Sequence, residues 1–183
     1  LVHGPQRSGV TNFLKLMARV AAQRKADVHI LGDAHWIRLA RELNLPLYET
    51  PEAIVKFLQD FIQQYAKPRK ALRDAAMQEG RAAARKQAAA FKPCVILIDN
   101  AQRLHETFSQ EAHRQHLPLV QGLLGEIAEK QYYNLAVFMG LSSKERLSAA
   151  NDPIKRVCEQ GHAVALGGKL SEFDPCGLSL IHI

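Results

Sequence analysis

The sequence predicts an α/β fold: a mainly parallel sheet with helices on both faces, built behind a phosphate-binding loop. Three observations predict it. Gly4, Gly9 and Thr11 stand in the frame G-x-x-x-x-G-x-T, directly before a stretch with helical apolar spacing. Residues 94–98, Cys-Val-Ile-Leu-Ile, form an unbroken apolar run that ends on Asp99, the pattern of a buried strand with an acid at its carboxyl end. Between and after them, short apolar runs alternate with helical patterns, as in a parallel sheet covered by helices.

At 183 residues the chain is long enough for one α/β domain with a full core. Its 47% hydrophobic and 23% charged content is that of a globular chain, which excludes disorder as the main state. No apolar run nears the ~18 residues of a membrane span, and there is no leader pattern. The three cysteines, Cys94, Cys158 and Cys176, are widely spaced, so they read as free thiols rather than a disulfide framework or a zinc site. The net charge of +6 is local. Residues 67–92 hold eight cations against Asp74 and Glu79, and the remaining 16 cations and 16 acids cancel.

Taken in order, residues 1–3 read as the end of a truncated strand feeding the loop. Residues 11–25 carry Phe13, Leu14, Leu16, Met17, Val20 and Ala21 at helical spacing. Val28, Ile30 and Leu31 lie in a second strand, ended by Gly32 and Asp33. A short helix over 36–43 and an extended segment at 46–48 follow. Thr50 as N-cap and Pro51 at the first helical position open a helix with a stripe of Ile54, Phe57, Leu58, Phe61, Ile62 and Tyr65. Pro68 is expected to interrupt it. One helix over about 69–91 is expected next, rich in alanine and arginine, with only Leu72, Met77 and Phe91 as large apolar anchors, and so standing largely in solvent. After the strand at 94–99 come a helix over 117–133, a strand at 135–139 ended by Gly140, short helices at 144–149 and 153–158, and a strand at 163–166 before Gly167 and Gly168. Residues 1–174 are taken as the domain. Residues 177–183 are set aside as a non-native tail, a short final strand being the alternative.

The chemistry concentrates at the loop, Gly4-Pro5-Gln6-Arg7-Ser8-Gly9-Val10-Thr11-Asn12. Two glycines let the backbone turn consecutive N–H groups inward at a helix N-terminus, a cradle for phosphate. Thr11 supplies a hydroxyl for magnesium, and Asp99 is the matching acid on a Walker B strand. The lysine that reaches the β- and γ-phosphates is missing: Val10 stands there, without charge or donor. Neither Arg7, within the loop, nor Lys15, a helical turn further in, is a convincing replacement. Asn100, after the aspartate, can orient a water but is not a base. For Asp99 the structural alternative is an N-cap for a helix beginning at Ala101.

These residues and their order resemble FtsK/SpoIIIE-type ATPase domains, above all the late modules of the type VII secretion ATPase, EssC/EccC. The shared features are the loop at 4–12, a helical insert before Walker B, Val95-Ile96-Leu97-Ile98-Asp99-Asn100, then Asp152-Pro153, Gly161 and Leu166-Gly167-Gly168. The resemblance covers about residues 1–174. It implies a RecA-like P-loop NTPase domain using ATP and Mg2+, one of several modules on a polypeptide that forms hexamers at the cytoplasmic face of the bacterial membrane and exports small helical-hairpin proteins. Later modules of that family commonly have degenerate sites and act in assembly, regulation or substrate recognition. The expectation is therefore an ATP-binding module with low or no hydrolysis. A working ATPase motor and a DNA-translocase module are the alternatives.

The basic segment, with Arg69, Lys70, Arg73, Arg81, Arg85 and Lys86, reads as a nucleic-acid surface, a surface for an acidic partner or membrane, or a solvated helix face. No aromatic is interleaved among its arginines between Tyr65 and Phe91, which weighs against single-strand stacking. His113 and His116 lack the ligands that would complete a metal site and read as surface or capping residues. Trp36 reads as core. Arg146 or Arg156 is a candidate for a finger in trans.

Overall fold

The computed structural model of this chain describes residues 2–4, 9–120, 134–142, 163–165 and 180–182. Strand β1 (Val2–Gly4) leads toward helix α1 (Val10–Gln23). Strand β2 (Asp27–Leu31), a 3-10 turn (Ala34–Trp36), helix α2 (Ile37–Leu43) and the short strand β3 (Leu47–Tyr48) follow. Helix α3 (Pro51–Asp60) starts where expected: the Thr50 hydroxyl accepts from the Ala53 N–H at 3.2 Å, with proline in the first turn.

Pro68 does not end this helix. The chain winds as a π-helix over Phe61–Ala66 and continues into α4 (Lys67–Gln78), with proline in its first turn. The Lys67 N–H reaches back five residues to the Ile62 carbonyl. A turn of larger radius moves aside the carbonyl that a proline ring would otherwise strike. The expected single helix over 69–91 is two helices, α4 and α5 (Arg81–Ala90), which pack on each other as a hairpin. They part at Gly80, whose φ of 114° lies far outside the helical range.

Strand β4 (Cys94–Ile98) is buried along its whole length. Helix α6 (Ala101–Ser109) and a 3-10 stretch (Glu111–His116) precede a helical turn at 117–120. Strand β5 (Leu135–Ser142) runs past Gly140, where the strand was expected to stop; the pairing of Gly140 with Val2 on β1 carries it further. Strand β6 is Ala163–Ala165, and β7 is Leu180–His182, so the tail at 177–183 contributes an edge strand. The rest of the helix over 117–133, the helices at 144–149 and 153–158, and Gly167 and Gly168 lie outside the described residues.

The strands join in one sheet, order β3-β2-β4-β5-β1-β6-β7, with every neighbouring pair parallel. The pleat divides β4 between two cores. Cys94, Ile96 and Ile98 face Ile54, Leu58, Phe61, Leu104 and Phe108 of the α3 and α6 layer. Val95 and Leu97 face Leu14, Ala18, Trp36 and Leu39 of the α1 and α2 layer. Helices therefore cover both faces, as the continuous apolar run of β4 demands.

Candidate functional site

The site lies at the carboxyl ends of β1, β4 and β5, where an open parallel sheet places its ligands. Gly4 closes β1, and Pro5, Gln6, Arg7 and Ser8 lie outside the described residues. Gly9 is the N-cap of α1 with φ 96°, a left-handed conformation that glycine adopts without penalty. Among the described residues no side chain caps this helix, and no acid stands in its first turn. Its leading N–H groups are thus left to other acceptors, at the positive end of the helix dipole.

Asp99 follows β4 directly and binds two neutral donors. The Thr11 hydroxyl donates to Oδ1 at 2.9 Å, and the Trp36 indole N–H donates to Oδ2 at 2.8 Å. Each hydrogen bond to a charged acceptor is worth about 1.5–3 kcal/mol. The hydroxyl and the carboxylate singled out as magnesium ligands are thus in contact across 88 residues of chain. Both are hard oxygen donors of the kind Mg2+ takes, so the pair fits that ion. The capping role considered for Asp99 belongs instead to Asn100, whose side-chain oxygen accepts from the Arg103 N–H at 2.8 Å.

β5 stands between the loop strand and the aspartate strand, so α1 and Asp99 meet above it. Gly140 on β5 makes room for this. A methyl group there would collide with the Asp99 carbonyl and lie 2.9 Å from Cγ1 of Val10 and 3.1 Å from Cδ1 of Leu14. Val10 itself packs against the α1-face core. The position where a phosphate-binding lysine would stand is occupied by an apolar side chain serving the fold. Lys15 sits with its ammonium 5.8 Å from the centre of the Trp36 ring.

Comparison with known proteins settles the architecture. No protein-family model matches the sequence, and no curated protein gives a significant match. Among solved structures, EssC (ATPases 2 and 3) from Geobacillus thermodenitrificans superposes with a TM-score of 0.62 at 20% identity, over 93% of this chain. The pCW3 conjugation coupling protein TcpA, in a monomer form with ATPγS, superposes with a TM-score of 0.61 at 14% identity, over 85% of this chain. The chain shares its fold with these two structures. This chain spans 29% of the EssC chain and 46% of the TcpA chain.

A cavity of about 200 Å3 opens beside Asp99 on the α3 and α6 side, lined by Asp33, Glu49, Ile98, Asp99, Asn100 and Arg103. Arg103 donates to Asp33 at 3.1 Å, so its charge is held on the β2 side of the aspartate. The basic segment divides in two. At the base of the hairpin, the Arg69 guanidinium lies 3.5 Å from the centre of the Tyr65 ring and 4.8 Å from that of Phe91, and donates to the Lys92 carbonyl at 2.9 Å. Arg73 pairs with Asp74. Along the shaft, Lys70, Arg81, Arg85 and Lys86 are exposed.

His113 and His116 lie in the 3-10 stretch after α6, and no cluster of three metal-ligating side chains occurs among the described residues. Arg146 and Arg156 lie outside them. Trp36, read as core, is both fully buried and bonded to Asp99. The signal for this second role is that a buried indole N–H needs an acceptor.

Proposed function

We propose that this chain is a nucleotide-binding module of a bacterial protein-secretion ATPase of the EssC kind, with low or no hydrolysis, acting through conformation within a larger assembly. One observation carries the reading. The Thr11–Asp99 pair is kept in contact at the head of α1, while the adjoining lysine position is spent on core packing by Val10. Supporting it are the likeness of fold and an α1 N-terminus that, among the described residues, no side chain caps.

In this reading the loop at 4–12 and the first turn of α1 receive the phosphates through backbone N–H groups. Thr11 and Asp99 hold Mg2+, which supplies charge neutralisation when bound. Asn100 orients water at most, because its oxygen is committed to capping α6. With no lysine on the phosphoryl oxygens and no carboxylate at position 100, the largest electrostatic contributions to hydrolysis are lost. The partners are other ATPase modules of the same polypeptide, copies of the module in a hexameric ring, and small helical-hairpin export substrates. The place of action is the cytoplasmic face of the membrane. Among the described residues no helix is long and apolar enough to cross one.

Equilibrium binding and steady-state hydrolysis with Mg·ATP test the reading. The expected result is weak, magnesium-dependent binding with turnover below ~1 per second, the low end of ordinary enzymes. Micromolar affinity with turnover near ~10 per second, abolished by Asp99→Asn, contradicts it and makes the module a working motor.

A further inference from the structure

We infer that Trp36 is the positioning residue of the Walker B aspartate: its indole N–H fixes one carboxylate oxygen and thereby aims the other at Thr11 and the loop. The inference rests on the nucleotide-binding reading for its consequence, but not for its geometry. Asp99 divides its oxygens between two donors, Oδ1 to Thr11 and Oδ2 to Trp36. The two donors differ in what they can do next. Thr11 is the hydroxyl that the loop would offer to a metal: its oxygen has lone pairs for a cation while its proton stays on Oδ1. The Trp36 N–H is a donor only and cannot ligate a metal, so it stays on Oδ2. It is also neutral, and holds the carboxylate without competing with a cation for its charge as a lysine or arginine would.

The indole is placed by its surroundings rather than by chance packing. Trp36 is 0% exposed. It ends a 3-10 turn whose start is capped by Asp33, the carboxylate accepting from the His35 N–H at 3.0 Å. The chain before that turn runs against the ring edge: a methyl group on Gly32 would fall 2.7 Å from Trp36 Cδ1 and 3.0 Å from Nε1. From α1, Lys15 closes the ring face. Lys15 is four residues after Thr11, on the same side of that helix, so the element that carries the Thr11 hydroxyl also reaches the ring. Groups that orient a metal ligand from outside the coordination sphere typically change metal affinity ~10–100-fold when removed.

Trp36 is the single tryptophan of the chain, so one indole resonance reports on it. In the 15N-labelled full chain without ligand, that N–H is expected downfield and slow to exchange. Asp99→Ala should move it upfield and speed its exchange. Trp36→Phe keeps the ring and loses the donor. It should raise the Mg2+ concentration for half-maximal ATP binding ~10-fold or more, while binding measured without Mg2+ stays unchanged. Gly32→Ala, which keeps the indole but displaces it, should shift the Mg2+ dependence in the same direction, and serves if Trp36→Phe fails to fold. An indole resonance indifferent to Asp99→Ala, or an unaltered Mg2+ requirement in either variant, overturns the inference. If the unaltered chain binds no ATP, the nucleotide reading fails by itself and Mn2+ alone becomes the probe. Broadening of the indole resonance that disappears with Asp99→Ala then upholds the role of Trp36, and no broadening overturns it.

Discussion

Asp99 owes its setting to three residues drawn from three elements: Thr11 from α1, Trp36 from the turn after β2, and Gly140 from β5. Two of them give hydrogen bonds, and the third gives space. Val10 completes the setting by filling with hydrocarbon the place of a charge. A second residue-scale feature lies on the other face of the sheet. His29 on β2 is half-buried, with its ring 4.7 Å from Phe57 and its Nδ1 3.3 Å from the Tyr48 hydroxyl. Burial lowers its pKa below the ordinary 6.5, against a smaller opposing pull from Asp27. Below about pH 6.5 the unfolded chain therefore binds this proton more readily than the folded one, so the stability His29 permits is complete above that pH and declines as pH falls through the window beneath it. Urea midpoints measured from pH 7.5 down to 5 should fall, and His29→Phe should flatten the part of the decline that begins near 6.5. Thr11 and Asp99 were legible in the sequence because a phosphate loop and an acid-ended strand have fixed local patterns. Trp36 and Gly140 were not, since hydrophobic spacing shows that a residue is buried but not which polar atom it meets across the sheet.

At the scale of elements, the helical hairpin before β4 is the feature that the sheet does not require. α4 buries no residue, and Leu72 and Met77 on it are 51% and 40% exposed. Arg69, stacked between Tyr65 and Phe91, anchors the hairpin's base to the body. Its shaft presents Lys70, Arg81, Arg85 and Lys86 to solvent. Such a surface predicts weak, sequence-independent binding of a polyanion. Affinity for duplex DNA should fall with salt, and changing Arg81, Arg85 and Lys86 to glutamine should reduce the log–log salt slope by roughly three. DNA binding that ignores those changes excludes the hairpin as the contact. The start of α3 was readable from Thr50 and Pro51, whose capping chemistry is local. The passage through Pro68 and the break at Gly80 were not. A proline is tolerated where the preceding turn widens, and a lone glycine in an alanine-rich stretch gives no local sign of whether the chain will reverse there.

For the whole molecule, alternation of strands and helices established a parallel sheet, but not the order of its strands. Placing β5 between β1 and β4 depends on pairings between segments far apart in sequence, such as Val2 with Gly140 and Ile98 with Met139. That order gives the site its character. It separates the loop from the aspartate by one strand and makes their contact depend on a glycine in that strand. The likeness to EssC at 20% identity is a likeness of fold; the site within it bears on nucleotide binding, and the role in secretion is proposed from the resemblance. In the function proposed here, the fold keeps a phosphate site whose lysine has been exchanged for packing. Titration of Mg·ATP into the unaltered chain and into Val10→Lys tests it most directly. Weak binding is expected of the first, at least ~10-fold tighter binding of the second, and a lower unfolding midpoint for the second, because the valine's apolar contacts are given up. Equal affinity in the two chains, or tight binding by the unaltered one, would contradict it.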